Sequence, residues 1–175
     1  MDAGRLSALI RDVPGFPVPE VTFKDITPLL ADPDALRSAV ELMAAPFEDS
    51  GVTMVAGIEA RGFVLAPAVA LLLRSGFVPL RKPGKLPYRA RKEEYQLEYG
   101  IDALEVHVDG VGPQDRVLVV DDVIATGGTA RAGTNLIRGL GAELVGMAVL
   151  IELTFLAGRE ALDGVDLHSI LTYDS

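Results

Sequence analysis

Cysteine is absent from the 175-residue chain. Disulfide bonds, thiolate zinc sites and catalytic thiols are therefore excluded. Only two histidines are present, and His107 and His168 have no partners at the spacing of metal ligands. Any metal must be held by oxygen atoms or by these two side chains, and neither histidine is assigned a role.

Long hydrophobic runs are also missing. The longest apolar stretch, around residues 64–73, is interrupted by Pro67 and falls far below the roughly 20 residues that a bilayer-spanning helix requires. After Met1 the chain continues with Asp2 and mixed charges, without the basic start and apolar core of a secretory signal. We therefore expect no membrane association and a cytoplasmic location.

Basic residues are scarce, with 16 lysines and arginines against 25 aspartates and glutamates and a net charge of −9. Such a charge repels polyanions over a long range, so nucleic acid is not expected as a partner. The main exception is a local basic cluster, which can attract a small anionic ligand. It contains Arg81, Lys82, Lys85, Arg89, Arg91 and Lys92.

Hydrophobic patterns predict strands that alternate with helices in one domain over residues 1–175. Helical spacing begins after the capping pair Asp32-Pro33. A second helical stretch follows residue 62, and a third ends near Gly139. Apolar runs typical of buried strands occupy residues 54–58, 77–80, 117–120 and 145–151. This order indicates an α/β fold with a central, mainly parallel sheet flanked by helices, and ligands are expected beyond the carboxyl ends of its strands.

Residues 81–108 show a different pattern. Their basic part, up to Lys92, is punctuated by prolines and predicts a mobile loop. Polar and apolar residues then alternate from Tyr95 to Tyr99, and again from Leu104 to Val108. This alternation predicts an antiparallel flap.

Two adjacent acids follow the apolar run at 117–120. Asp121 and Asp122 are costly to place beside a buried strand unless they have a partner. Adjacent carboxylates can accept hydrogen bonds from both hydroxyls of a diol such as ribose. The alternative is a solvated loop that contains a helix N-cap.

A loop of small residues comes next and begins a helix. It consists of Ala125, Thr126, Gly127, Gly128 and Thr129. Backbone N–H groups at a helix start, with two threonine hydroxyls, suit a phosphate monoester, and the glycines allow it to approach the backbone closely. No G-x-G-x-x-G occurs and Gly84-Lys85 lacks the Walker A context, so dinucleotide and nucleoside triphosphate sites are not indicated.

The segment VLVVDDVIATGGT at residues 117–129 resembles the signature of the type I phosphoribosyltransferases, which bind 5-phosphoribosyl 1-diphosphate. Further segments resemble the adenine phosphoribosyltransferases in particular, and together they cover nearly the whole chain. They are FKDITP at 23–28, GIEARGF at 57–63, RKPGKLP at 81–87 and YQLEYG at 95–100. The resemblance implies a small N-terminal hood over residues 1–30, magnesium as cofactor, a homodimer, and synthesis of AMP and diphosphate from adenine and 5-phosphoribosyl 1-diphosphate.

The resemblance also implies how the anionic substrate is held. Asp121 and Asp122 would hold the ribose hydroxyls and residues 125–129 the 5′-phosphate. Magnesium would bind through diphosphate and ribose oxygens, with no direct protein ligand. The implied diphosphate contacts are Glu59, Ala60, Arg61, Gly62, Arg81, Lys82 and Lys85.

On the base side, the resemblance implies that Phe23 stacks on adenine and that Lys24 meets it through its backbone. Tyr99 would contact substrate, and Glu98 on the flap would approach the reacting base. The implied catalytic residues are Glu98, Arg61 and Lys85. Independently, cations suit a leaving diphosphate, and a phenylalanine face can stack on a base.

Plainer interpretations exist for several of these residues. Phe23 could belong to the core, the basic cluster could be a solvated loop, and Glu98 could be the polar face of a strand. Three positions depart from the family pattern, because Glu20 and Ala66 stand where glycine is common and Lys24 replaces a usual arginine.

Two rival functions remain. One is the use of a 6-substituted purine such as hypoxanthine, or of xanthine, in place of adenine. The other is a non-catalytic regulator that senses 5-phosphoribosyl 1-diphosphate and binds nucleic acid. The acidic charge and the lack of an added helix-turn-helix segment count against the regulator.

Overall fold

A computed structural model describes residues 2–97 and 100–175, without the side chain of Leu97. In chain order the elements are α1 (Ala3–Ser7), β1 (Arg11–Pro14), β2 (Thr22–Asp25), α2 (Thr27–Ala31), α3 (Pro33–Ala44), β3 (Met54–Ile58), α4 (Gly62–Leu72), β4 (Gly76–Leu80), β5 (Ala90–Leu97), β6 (Gly100–His107), β7 (Arg116–Ile124), α5 (Gly128–Gly139), β8 (Glu143–Leu153) and β9 (Leu167–Tyr173). Short 3₁₀ turns occupy Ala45–Phe47, Thr154–Leu156 and Gly158–Ala161.

Five parallel strands form the central sheet, in the spatial order β4-β3-β7-β8-β9. Successive side chains of β7 point to opposite faces. Leu118 and Val120 pack in the core with α3 and α4, whereas Val117 and Val119 pack with α5 and β6. Because both faces are covered by protein, the run is continuously apolar instead of alternating. The predicted α/β class and parallel sheet are confirmed.

The strand order reverses between β3 and β7. From β3 the chain steps to its neighbour β4 on one side, and from β7 it continues through β8 to β9 on the other. In open α/β sheets, ligands bind at such a reversal, outside the carboxyl ends of the strands. The topology therefore directs attention to the loops that follow β3 and β7.

The predicted start of α3 is confirmed. The Asp32 carboxylate accepts hydrogen bonds from the backbone N–H groups of Asp34 and Ala35, both at 2.9 Å, and Pro33 begins the helix. A side-chain cap of this kind satisfies N–H groups that a helix cannot pair internally. The opposite end of the element continues into the 3₁₀ turn, where Phe47 is buried.

Two small antiparallel sheets lie outside the central one. β1 pairs with β2 near the N-terminus, within the predicted hood. β5 pairs with β6 over their whole length and forms the flap, as predicted. The flap begins at Ala90, so Arg91 and Lys92 lie on a strand and the basic loop is shorter than expected. The mobility of that loop stays a prediction.

Two other expectations need correction. β7 does not end at Val120, because Val123 and Ile124 still pair with β8, and the two acids therefore lie within the strand and not after it. The edge strand β9 was not anticipated, since its polar residues interrupt any apolar run. No helix in residues 2–97 and 100–175 is long and apolar enough to cross a membrane.

Candidate active site

A cavity of about 420 Å³ lies at the carboxyl ends of β3 and β7, where the strand order reverses. Its walls come from three segments that the sequence singled out. They are residues 59–61 after β3, Lys82 in the basic loop, and residues 121–130 at the end of β7 and the start of α5. Sequence-distant residues are thus brought together at the place that the topology indicates.

The two acids of β7 are buried in the wall of this cavity. Asp121 is 9% and Asp122 is 3% exposed. Asp122 Oδ2 lies 2.7 Å from Arg61 Nε, and Asp121 Oδ1 accepts a hydrogen bond of 2.8 Å from the Asp122 backbone N–H. Burial raises the pKa of both carboxyls, the charge of Asp122 raises that of Asp121 further, and Arg61 opposes the rise at Asp122. Hydroxyl donors from a ligand would relieve this cost.

The raised pKa of Asp121 has a consequence for stability. A carboxyl whose pKa is higher in the folded than in the unfolded state stabilises the fold fully only below the unfolded value, near 3.9, and loses this contribution as the pH rises through the folded value. Asp121→Asn should therefore raise the melting temperature at pH 7, by about 2–4 °C for each kcal/mol regained. The gain should shrink as the pH is lowered toward 4, as scanning calorimetry at several pH values would show. A lower melting temperature at pH 7 would contradict the assignment of this cost to Asp121.

The loop from Ala125 to Gly127 leads into α5. Gly127 is the N-cap residue with φ of 83°, and the first residues of α5 line the cavity together with the loop. The first N–H groups of a helix have no partner within it. The N-terminus of a helix of this length, 12 residues, suits an anion.

The predicted phosphate loop, residues 125–129, packs on a 3₁₀ turn that the sequence did not single out. A Cβ atom on Gly127 would lie 2.3 Å from the Gly158 carbonyl oxygen, and one on Gly158 would lie 2.1 Å from the Ala125 carbonyl oxygen. Both positions therefore need glycine, because two backbones touch there.

Arg159 fastens this turn to the sheet. Its Nε donates to Glu152 Oε1 at 2.9 Å, and its Nη1 donates to the Leu167 carbonyl oxygen at 2.8 Å. Hydrogen bonding from Arg159 lowers the pKa of Glu152, against the effect of burial. The turn that supports the phosphate loop is thus tied to β8 and β9.

Glu59 lies in the cavity wall and is bonded to the basic loop, and its expected contact with diphosphate stays a prediction. Its carboxylate accepts a 2.8 Å hydrogen bond from the Lys82 backbone N–H and a shorter one from Lys85 Nζ, and it lies 3.4 Å from Arg81 Nε. Burial would raise the pKa of Glu59, but these neighbours hold it below its usual value. Glu59 therefore holds the basic loop beside the cavity, and Glu59 and Lys82 both line it.

The predicted base side lies beside Arg61. Its guanidinium carbon is 4.6 Å from the centroid of the Phe23 ring, and the Phe16 ring packs edge-on against Phe23 at 5.3 Å. Phe23 is only partly buried, so it is not a core residue. The Lys24 side chain binds Asp12 at 2.8 Å, and the contact of its backbone with adenine stays a prediction.

Four further positions complete the account of the predictions. Glu98 and Tyr99 lie outside the described residues, so their roles stay predictions. Ala66 is fully buried and packs against Gly57, where a Cβ atom would come within 2.7 Å of the Ala66 Cβ. Glu20 is exposed in the connection between β1 and β2.

Comparison with known proteins agrees with this geometry. The sequence model of the family "Phosphoribosyl transferase domain" matches residues 26–167. The chain belongs to the phosphoribosyl transferase family. The adenine phosphoribosyltransferase of Methylococcus capsulatus is 55% identical over 169 residues, which are 97% of this chain and 99% of that protein.

Solved structures of the family show the same fold. Adenine phosphoribosyltransferase from Rhodothermus marinus superposes with a TM-score of 0.94 at 52% identity, covering 98% of each chain. The Saccharomyces cerevisiae enzyme, solved with an imino-altritol bisphosphate and adenine, superposes with a TM-score of 0.92 at 34% identity. The match covers 97% of this chain and 98% of the yeast chain. The resemblance that the sequence motifs indicated is confirmed.

Proposed function

We propose that the chain transfers the 5-phosphoribosyl group of 5-phosphoribosyl 1-diphosphate to adenine, giving AMP and diphosphate for purine salvage. The observation that carries this proposal is the cavity at the β3/β7 reversal, which combines buried acids, a helix start and clustered cations. The adenine phosphoribosyltransferase relatives support the choice of adenine, since they match nearly the full chain.

The three chemical features of the cavity match the three parts of the substrate. Residues 125–129 suit the 5′-phosphate, because N–H groups and hydroxyls donate to its oxygens. Asp121 and Asp122 suit the ribose hydroxyls, which are donors. Arg61, Lys82 and Lys85 suit the diphosphate, and Ala60 and Gly62 frame the loop that carries Arg61. Each subsite is thus complementary in charge or hydrogen bonding.

The reaction needs little covalent chemistry from the protein. An imidazole nitrogen of adenine bonds to the anomeric carbon while the bond from that carbon to the diphosphate oxygen breaks, through a sugar with oxocarbenium character. Negative charge grows on the leaving diphosphate, which Arg61 and the basic loop stabilise. The proton lost from the imidazole ring goes to a base, for which Glu98 is our candidate.

Magnesium fits this site as an ion carried mainly by the substrate. In the part of the chain that the structure describes, no group of three or more acidic or histidine side chains surrounds a metal position. Mg²⁺ keeps several waters and binds substrate phosphates readily, so the diphosphate and ribose oxygens would hold it, with no direct protein ligand. When bound, it would screen the charge of the diphosphate.

A second copy of the chain is the partner that we propose. α4 is apolar on all sides, yet Val64, Leu71 and Leu72 are 49%, 79% and 51% exposed. Helices of this composition are normally buried. If a homodimer covers α4, sedimentation equilibrium should give a molecular mass of twice the 18.6 kDa of one chain. The cytoplasmic location and the lack of a nucleic-acid partner stay predictions.

The function is tested by supplying 5-phosphoribosyl 1-diphosphate and magnesium with each purine base in turn. AMP should form from adenine much faster than nucleotides form from hypoxanthine, guanine or xanthine. Equal or faster turnover of another base would overturn the adenine assignment and leave the phosphoribosyl site in place. Binding of 5-phosphoribosyl 1-diphosphate without turnover of any base would favour the regulator.

A further inference from the structure

Lys82 is held by the flap and not by the basic loop to which it belongs. Its Nζ donates a 2.7 Å hydrogen bond to the Tyr95 hydroxyl and a shorter one to the Asp102 carboxylate. The Tyr95 hydroxyl donates in turn to Asp102 Oδ2 at 3.0 Å. Tyr95 and Asp102 face each other across the β5–β6 pair, so the flap presents both acceptors at one point.

Among residues 2–97 and 100–175, the hydrogen bonds of this cluster leave one donor of the Lys82 ammonium for a ligand. An ammonium group has three N–H donors, of which Tyr95 and Asp102 take two. Because Lys82 lines the cavity, the third can serve a substrate oxygen there. The backbone of the same residue is fixed as well, since its N–H donates to Glu59. Both the backbone and the ammonium group of Lys82 are therefore held in place.

Tyr95 also touches the phosphate loop. A Cβ atom on Gly128 would lie 3.3 Å from Tyr95 Cδ2, so the buried ring packs on the first residue of α5. β5 is further tied to α5 where Arg91 Nη1 donates to the Gly139 carbonyl oxygen at 2.8 Å. The acceptors of Lys82 therefore have a defined position relative to the 5′-phosphate loop.

The charges of the pair persist near neutrality. Burial opposes both charges, but Asp102 and Tyr95 raise the pKa of Lys82 while Lys82 lowers that of Asp102. Lysine is a flexible point charge, so its effect on a diphosphate depends on what holds it. Asp102 lies on the flap and is not among the residues that line the cavity, whereas its partner Lys82 is.

We propose that Asp102 is a positioning residue for the transfer reaction, which fixes the Lys82 ammonium, with help from Tyr95, where it meets the departing diphosphate. This inference rests on the proposed function, because it takes Lys82 to be a diphosphate ligand. The flap thereby helps to stabilise the negative charge of the diphosphate, although the cation itself, Lys82, belongs to the basic loop. The competing interpretation is that the ion pair only attaches the flap to the core.

A double-mutant cycle tests the proposal, with kcat and the KM for 5-phosphoribosyl 1-diphosphate as readouts. Asp102→Asn keeps the shape and removes the charge, and it should lower kcat about tenfold, within the range of coupling between contacting residues. Tyr95→Phe keeps the ring on Gly128 and should lower kcat about threefold, because one acceptor is lost. Lys82→Met should lower kcat tenfold or more, and adding Asp102→Asn to it should have no further effect.

The control is Glu94→Gln, which removes another flap carboxylate paired with a lysine, Lys92, at 2.7 Å and exposed to solvent. It should leave kcat unchanged, and melting temperatures establish that all variants fold. Wild-type kcat in Asp102→Asn, or an equal loss in the Lys82→Met background, would overturn the inference while leaving the proposed function intact. Wild-type kcat in Lys82→Met would instead remove Lys82 from the diphosphate site.

Discussion

Arg61→Gln should lower kcat by about 100- to 1,000-fold, the loss typical when a donor that stabilises transition-state charge is removed. Arg61 lies in the cavity wall, 2.7 Å from the buried Asp122 carboxylate and over the Phe23 ring. The substitution removes the cation that we propose as a ligand of the leaving diphosphate. It also leaves Asp122 without its counter-ion, so the pKa of that carboxyl should rise further and its use as an acceptor for ribose should weaken.

Two matched variants separate these effects. Arg61→Lys keeps the charge without the planar fork, and it should recover part of the activity. Arg37→Gln removes an exposed arginine of α3 that does not line the cavity, and its kinetics should match the wild type. Steady-state rates at saturating adenine and 5-phosphoribosyl 1-diphosphate give kcat for each. If Arg61→Gln kept the wild-type kcat, the cation would have no part in the chemical step.

Gly127→Ala should weaken AMP binding by about 100-fold or more, which corresponds to losing two charge-assisted hydrogen bonds at about 1.5–3 kcal/mol each. The new Cβ atom would lie 2.3 Å from the Gly158 carbonyl oxygen and 2.8 Å from the Ala161 Cβ, so the loop must shift. Gly127 also has φ of 83°, a conformation that alanine adopts only with strain. Displaced N–H groups can no longer meet the 5′-phosphate together.

Gly164→Ala is the control for backbone strain. Gly164 has φ of 63°, but a Cβ atom there would have no neighbour within 4 Å. The variant should lose some stability and keep its affinity for AMP. Titration calorimetry with AMP and a melting curve for each protein make the comparison. An equal loss of affinity in both variants would show that general destabilisation, and not the Gly127–Gly158 contact, is responsible.

The local parts of the site could be predicted from the sequence, because their signal lies in consecutive residues. Asp121 and Asp122 beside an apolar run, followed by glycines at a helix start, predict a buried acid pair and a phosphate loop wherever the strand is placed. The parallel orientation of the strands was also predictable, because strands and helices alternate along the chain. The end of β7 was not, since pairing with β8 decides whether Val123 remains in the strand.

The motifs indicated which distant segments share a site, but the individual contacts between these segments could not be predicted, although some had a signal in retrospect. β3 and β4 are neighbours in register, with Ile58 opposite Leu80, so Glu59 and Arg81 had to meet just beyond them. Gly158 gave no such signal, because its need for glycine arises only from the approach of the phosphate loop. The cis peptide bond between Glu59 and Ala60 also has no sequence pattern, since such bonds are rare without proline.

A crystal structure with AMP bound tests the central claim most directly, because it locates each part of the nucleotide in one measurement. We expect the 5′-phosphate on the N–H groups of residues 125–129, the ribose hydroxyls within hydrogen-bond distance of Asp121 and Asp122, and the adenine ring against Phe23. An AMP phosphate bound instead to the basic loop, or a nucleotide outside the cavity between β3 and β7, would contradict the account.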